Sequence, residues 1–196
     1  NTDATNYSKT TINGNVFANS TVLNNNNNDN SDGTTNSSEL ILASGKNITS
    51  TITTADANMG ILTLAGGIQT VTGQVGNGNK LAEVNAGNGT STFVNDVYAS
   101  NLNITGTGTV VLNSDLTGNV VTTGNNKGIL TTTGVNQTIT GNIGSSTSLD
   151  LNTLNIGSNT DATNYSKTTI NGNVFADSTV LNNNGTTNSS ELILAS

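Results

Sequence analysis

The residues best placed to hold an ion lie in an asparagine-rich run. Asn28-Asp29-Asn30-Ser31-Asp32-Gly33 and, after five intervening residues, Glu39 follow the calcium-loop spacing D-x-[DN]-x-[DN]-G-x5-E, with asparagine at the first position. Asn28, Asn30, Asp32 and Glu39 would supply oxygens and Gly33 the sharp turn. The first ligand is uncharged and no helical pattern flanks the run. The second occurrence, Asn182-Asn183-Asn184-Gly185 to Glu191, lacks both aspartates. A solvated loop is the expectation, with calcium at Asn28, Asn30, Asp32 and Glu39 the cofactor candidate set against it.

Other chemistry has little to draw on. The chain contains no histidine and no cysteine, so the usual general base, the thiolate nucleophile, disulfides and thiolate metal sites are all absent. The acids Asp56, Glu83, Asp96, Asp115 and Asp150 are scattered in sequence, which predicts no catalytic pair and hence no enzyme. Five lysines without arginine cannot form the basic footprint of a nucleic-acid binder. Thr-x-Thr pairs at Thr51/Thr53, Thr70/Thr72, Thr105/Thr107/Thr109 and Thr138/Thr140 are too unevenly spaced to predict the one-pair-per-coil array with which some solenoids bind ice. Asn-x-Ser/Thr sequons at Asn6, Asn19, Asn36, Asn47, Asn88, Asn103, Asn136, Asn164 and Asn188 are about what chance gives in such a composition.

What must position these residues is a repeat. Asn1–Ser44 returns as Asn159–Ser196, an offset of 158, with Asn19 becoming Asp177 and six residues lost from the asparagine-rich run. Inside it lies an older repeat. Gly60-Ile61-Leu62-Thr63 matches Gly128-Ile129-Leu130-Thr131, and Gln69-Thr70-Val71-Thr72-Gly73 matches Gln137-Thr138-Ile139-Thr140-Gly141, both at an offset of 68. Val84-Asn85-Ala86-Gly87 matches Leu154-Asn155-Ile156-Gly157. Asn15-Val16-Phe17-Ala18 recurs as Asp96-Val97-Tyr98-Ala99 and as Asn173-Val174-Phe175-Ala176. The offsets, 81 from Val16 to Val97 and 77 from Val97 to Val174, define modules of about 80 residues. Residues 1–196 then read as one segment with modules at roughly 10–91, 92–167 and a partial third at 168–196, a window on a longer array.

The chemistry of the modules is that of strands and turns. With 37 Asn and 36 Thr among 196 residues, β-branched strand formers alternate with residues that favour turns. Short runs such as Ile48-Thr49-Ser50-Thr51-Ile52 and Ile68-Gln69-Thr70-Val71-Thr72 are bounded by Gly/Asn clusters, and no segment shows sustained helical periodicity. Tandem modules of short strands predict an all-β parallel β-solenoid of about 20–25 residues per coil, whose coils contact only their neighbours. An antiparallel sandwich of duplicated hairpins is the alternative. Thr columns, Asn ladders and an interior of Val, Ile and Leu columns should hold the coils in register. No apolar run is long enough for a membrane-spanning helix, and no signal-peptide pattern opens the chain, as expected of a mature or internal fragment.

Gly172-Asn173-Val174-Phe175-Ala176, Asn126-Lys127-Gly128-Ile129-Leu130-Thr131 and Thr140-Gly141-Asn142-Ile143-Gly144 give the chain a resemblance. It resembles the passenger region of rickettsial surface-antigen autotransporters of the outer-membrane protein A and B type, whose degenerate modules carry GNV-F/Y-A, N-K-G-x-L-T and TGN-I/V-G elements. The resemblance implies a β-helical passenger displayed at a Gram-negative bacterial surface. The expected function is a structural or adhesive repeat segment that presents an extended Asn/Thr-rich surface. Its partners would be neighbouring modules, copies of itself, and a host-cell receptor or glycan. The alternative is a purely structural extracellular fibre or surface layer.

Overall fold

The computed structural model describes residues 8–24, 37–145, 148–158, 165–183 and 189–195. Among them regular structure is all strand. The strands are β1 Lys9–Ile12, β2 Val16–Leu23, β3 Glu39–Leu42, β4 Ile48–Thr54, β5 Met59–Leu64, β6 Gly67–Val71, β7 Leu81–Ala86, β8 Gly89–Phe93 and β9 Val97–Ile104. They continue as β10 Thr109–Leu112, β11 Leu116–Thr122, β12 Lys127–Thr132, β13 Gln137–Thr140, β14 Leu151–Ile156, β15 Lys167–Ile170, β16 Ala176–Leu181 and β17 Glu191–Leu194. Every pairing between these strands is parallel, and partners are never consecutive in sequence: β1 pairs β3, β3 pairs β5, β2 pairs β4. The chain is a parallel β-solenoid.

Three ladders of inward side chains run its length and define three faces. On the first, Leu40, Leu62, Val84, Leu102 and Val120 stack directly, and single bridges extend the column to Ile143 and Val174. On the second the column is Val16, Ile48, Val71, Phe93, Leu112, Thr132, Ile156 and Leu181. On the third it is Ile52, Val75, Val97, Leu116, Ile139, Ile170 and Leu194. Strands β2 and β4 bend from the second face to the third, and β9 and β11 from the third to the first.

The local cause is period-two alternation. In β4 the inward Ile48, Ser50, Ile52 and Thr54 are buried, while Thr49, Thr51 and Thr53 point out. β4 and β11 keep this alternation while they bend from one face to the next, and Gly, Asn and Ser cluster instead where the chain passes from one strand to another. From Leu40 through Ile156 the buried Leu, Ile and Val side chains form one continuous core, each contributing roughly 1.5–3 kcal/mol.

The coil and the module do not coincide. From Leu62 the inward residues run Val71, Val75, Val84, Phe93, Val97, Leu102, Leu112, Leu116, Val120 and then Leu130, which is the module equivalent of Leu62. Leu62 lies on the first face and Leu130 on the second. A module is therefore ten face-steps, three full turns and one face more. The recurring pairs Asn15-Val16, Asp96-Val97 and Asn173-Val174 accordingly fall on the second, third and first faces. Equivalent sequence is rotated one face about the axis with each module.

Two module elements owe their recurrence to contacts between coils. The carboxamides of Gln69 and Gln137 are buried and brace corners. Gln69 Oε1 accepts from Gly66 N–H at 2.8 Å, while its Nε2 donates to the carbonyls of Ala43 and Lys46, both at 3.0 Å. Gln137 repeats the clasp, with Oε1 accepting from Gly134 N–H at 3.1 Å and Nε2 donating to Ser114 O at 2.5 Å. Gly76 and Gly144 have positive φ, +76° and +71°, and a Cβ on either would run into the backbone of Tyr98 or Phe175 on the next coil. Glycine is required there because the aromatic residue of the following module lies across it.

Candidate binding surface

Asparagine and aspartate side chains at the corners are built into the rod itself. Just before the inward residue of each face, an Asx side-chain oxygen accepts the backbone N–H of its counterpart one coil on. On the second face Asn15 Oδ1 accepts from Asn47 N–H at 2.9 Å, and Asn47 Oδ1 accepts from Thr70 N–H at 2.8 Å. On the third, Asp96 accepts from Asp115 N–H at 3.2 Å and also from the Ser114 hydroxyl, and Asp115 accepts from Thr138 N–H at 2.7 Å. On the first, Asn119 accepts from Asn142 N–H at 3.0 Å and Asn142 from Asn173 N–H at 2.9 Å. In place of the expected amide-to-amide Asn ladders, the corners carry side chain-to-backbone steps made by Asp as well as Asn.

The outward side of the first face is also bonded to itself. Lys9 Nζ lies 2.9 Å from Glu39 Oε2, the Thr63 hydroxyl donates to Glu39 Oε1 at 2.8 Å, and Asn103 donates to Asn85 Oδ1 at 2.7 Å. Burial pushes the Glu39 carboxyl up, but hydrogen bonds from Lys9 and Thr63 and the charge of Lys9 outweigh it and hold the pKa below its usual value. Lys167 and Glu191, the same pair in the second copy, meet at 3.4 Å.

The outward side of the second face differs. Two columns run across β6, β8, β10, β12, β14 and β16 in unbroken register. One is Ile68, Thr90, Thr109, Ile129, Thr153 and Ser178; the other is Thr70, Thr92, Val111, Thr131, Asn155 and Val180. No position in either column is charged or aromatic. The hydroxyls of Thr90, Thr92 and Thr109 make no hydrogen bond among the described residues, and Ile68 is 79% exposed. Further along, Asn155 donates to the Thr131 hydroxyl at 3.4 Å, the one long bond between rungs of these columns among the described residues. The sequence concealed this array because its strands mix Thr with Val, Ile and Asn and recur at unequal intervals. Matching Thr-x-Thr alone could not find it; the inward pattern, once threaded onto three faces, would have.

Of the calcium candidates, Asn28, Asn30 and Asp32 lie outside the described residues, while Glu39 sits in β3 with its carboxylate taken up by Lys9 and Thr63. Among the described residues no three acids group as metal ligands. The structure stacks Asp96 beside Asp115 across neighbouring coils, a proximity invisible in sequence, but Oδ1 of each carboxylate accepts a ladder N–H. Sequon residues Asn47, Asn88 and Asn103 have their side chains in inter-coil bonds; Asn6, Asn36, Asn164 and Asn188 lie outside the described residues. No helix among the described residues is long and apolar enough to cross a membrane. No family model, curated protein or solved structure matches the chain.

Proposed function

We propose that the chain is a structural and adhesive repeat segment of a bacterial cell-surface protein, a rod that holds an extended Asn/Thr-rich surface for host or cell–cell contact. The observation that carries this reading is the ten-step module. Each added module lengthens the rod by about 16 Å at roughly 4.8 Å per turn and turns its features one face, so repeated contacts are offered around the axis. Affinity then accumulates from weak contacts through effective concentration. Neighbouring modules, a host-cell receptor and a surface glycan are the partners this supports; a purely structural fibre uses the same rod without the last two.

Beads coated with the full chain, passed over cultured host cells and over cells of the producing bacterium, test the reading. Retention above beads carrying an unrelated acidic β-rich protein is expected, and should grow with the number of modules displayed. Retention equal to the control leaves only the structural fibre.

A further inference from the structure

The second face carries polar groups that the fold does not use. On the first face the outward Thr63, Asn85 and Asn103 bond to neighbours on adjacent coils. On the second, Thr90, Thr92 and Thr109 present hydroxyl and methyl together with no internal partner among the described residues, in register with Ile68, Ile129, Val111 and Thr131. The parallel ladder sets the repeat of this array at about 4.7–4.9 Å from rung to rung, and at about 6.4–6.8 Å between the two columns, two residues apart along a strand. The rung-to-rung repeat lies near an oxygen spacing of the ice lattice, and the column-to-column repeat is somewhat shorter than a second such spacing.

We propose that the outward second face, from Ile68 and Thr70 to Thr153 and Asn155, is an ice-binding surface. From Ile68/Thr70 to Thr153/Asn155 each rung carries at least one threonine, and that of β8 carries two. Hydroxyls in register from coil to coil can take the places of water molecules at a crystal face, and the methyl groups beside them order the first water shell. A charged side chain would hold its own hydration shell against that order, and the two columns contain none, whereas the outward first face carries Lys9, Glu39 and Glu83. A glycan would call for aromatic stacking platforms, and the columns contain none of these either. The inference does not rest on the adhesive reading: a chain that binds no cell can still shape ice.

The full chain is tested by watching single ice crystals in its solution and measuring the gap between melting and growth temperatures. Faceted crystals and a measurable gap are expected. Thr92→Lys and Thr131→Lys should abolish both, while Asn101→Lys on the first face should leave them intact, with circular dichroism and melting curves checking that each variant remains folded. Should a lysine variant fail to fold, Val111→Thr makes the array more regular and should widen the gap. Round, unfaceted growth at millimolar protein overturns the proposal, as does ice shaping that survives both lysines. So does concentration-dependent dimerisation that Thr92→Lys removes without any ice shaping by the parent chain, since the face would then belong to a second copy.

Discussion

The first and second faces are built alike within and unlike without. Inside, both are columns of residues with essentially no exposure, Leu62, Val84, Leu102 and Val120 against Val71, Phe93, Leu112 and Thr132, whose hydroxyl is bonded to that of Thr168. Outside, the first face bonds its side chains to one another between coils, and the second leaves the hydroxyls of Thr90, Thr92 and Thr109 to the solvent. Since the backbone ladder and the core already hold both faces, the outer bonds of the first are additional cohesion. The second face forgoes most of that cohesion and keeps two uncharged columns of mixed Thr, Ile, Val, Asn and Ser.

If the interiors are equivalent, truncating them should cost alike. Phe93→Ala on the second face should destabilise the chain by about 3–5 kcal/mol and Leu102→Ala on the first by about 2–5 kcal/mol, through lost burial and residual cavities. Urea denaturation followed by circular dichroism measures both. A cost near zero at Phe93 would mean that the second face is not part of the same core and would break the comparison at its base.

The corner clasps join the faces and come next in size. Gln69→Leu keeps the volume but leaves Gly66 N–H and the carbonyls of Ala43 and Lys46 without their buried partner. The expected loss is about 1–3 kcal/mol, the penalty of an unsatisfied buried group, and Gln137→Leu should behave the same because it occupies the same module position one face round. Unequal losses would show that the two corners, although equivalent in sequence, are not equivalent in load.

Much of the fold was legible in the residues. Alternation in Ile48-Thr49-Ser50-Thr51-Ile52 and the matches of Gly60 to Gly128 and Gln69 to Gln137 predicted short strands in a modular parallel solenoid, and the structure has them. What could not be read was the phase. Eighteen residues separate Val84 from Leu102 and 22 separate Leu62 from Val84, because corners absorb different numbers of residues while each ladder step stays one coil. Sequence matching counts residues; the ladder counts faces. The ten-step module and the in-register second face both live in that second count, so Thr90, Thr109 and Ile129 looked unrelated until the strands were paired. The near-identity of residues 9–23 and 167–181 likewise held no hint that Ile12 and Ile170 stand on different faces, which follows from their partners Leu42 and Ile139.

The outer surfaces separate the faces at lower energy. Thr63→Val removes the hydroxyl that donates to Glu39 and accepts from Asn85 and should cost about 1 kcal/mol. Thr109→Val on the second face removes no internal bond and should stay within about 0.5 kcal/mol of the parent. Matched melting curves for the two variants sharpen the comparison directly; equal losses would mean that the second-face hydroxyl has a partner after all.

The smallest difference is in the response to acid. Glu39 is held below its usual pKa by Lys9 and Thr63, against the opposing pull of burial, so the folded state binds its proton less readily than the unfolded chain does. The contribution is present above the unfolded pKa and fades as pH falls through the lower, folded value. Because Lys9 is about half exposed, at 53%, the pair should supply no more than about 1 kcal/mol. Glu39→Gln should therefore flatten a shallow loss of stability on the acid side, and added salt should shrink the same slope in the parent. Thr109→Val should leave both unchanged, since its columns hold nothing that titrates. An acid slope that persists undiminished in Glu39→Gln would assign it to other carboxylates and remove the Lys9–Glu39 pair from what separates the first face from the second.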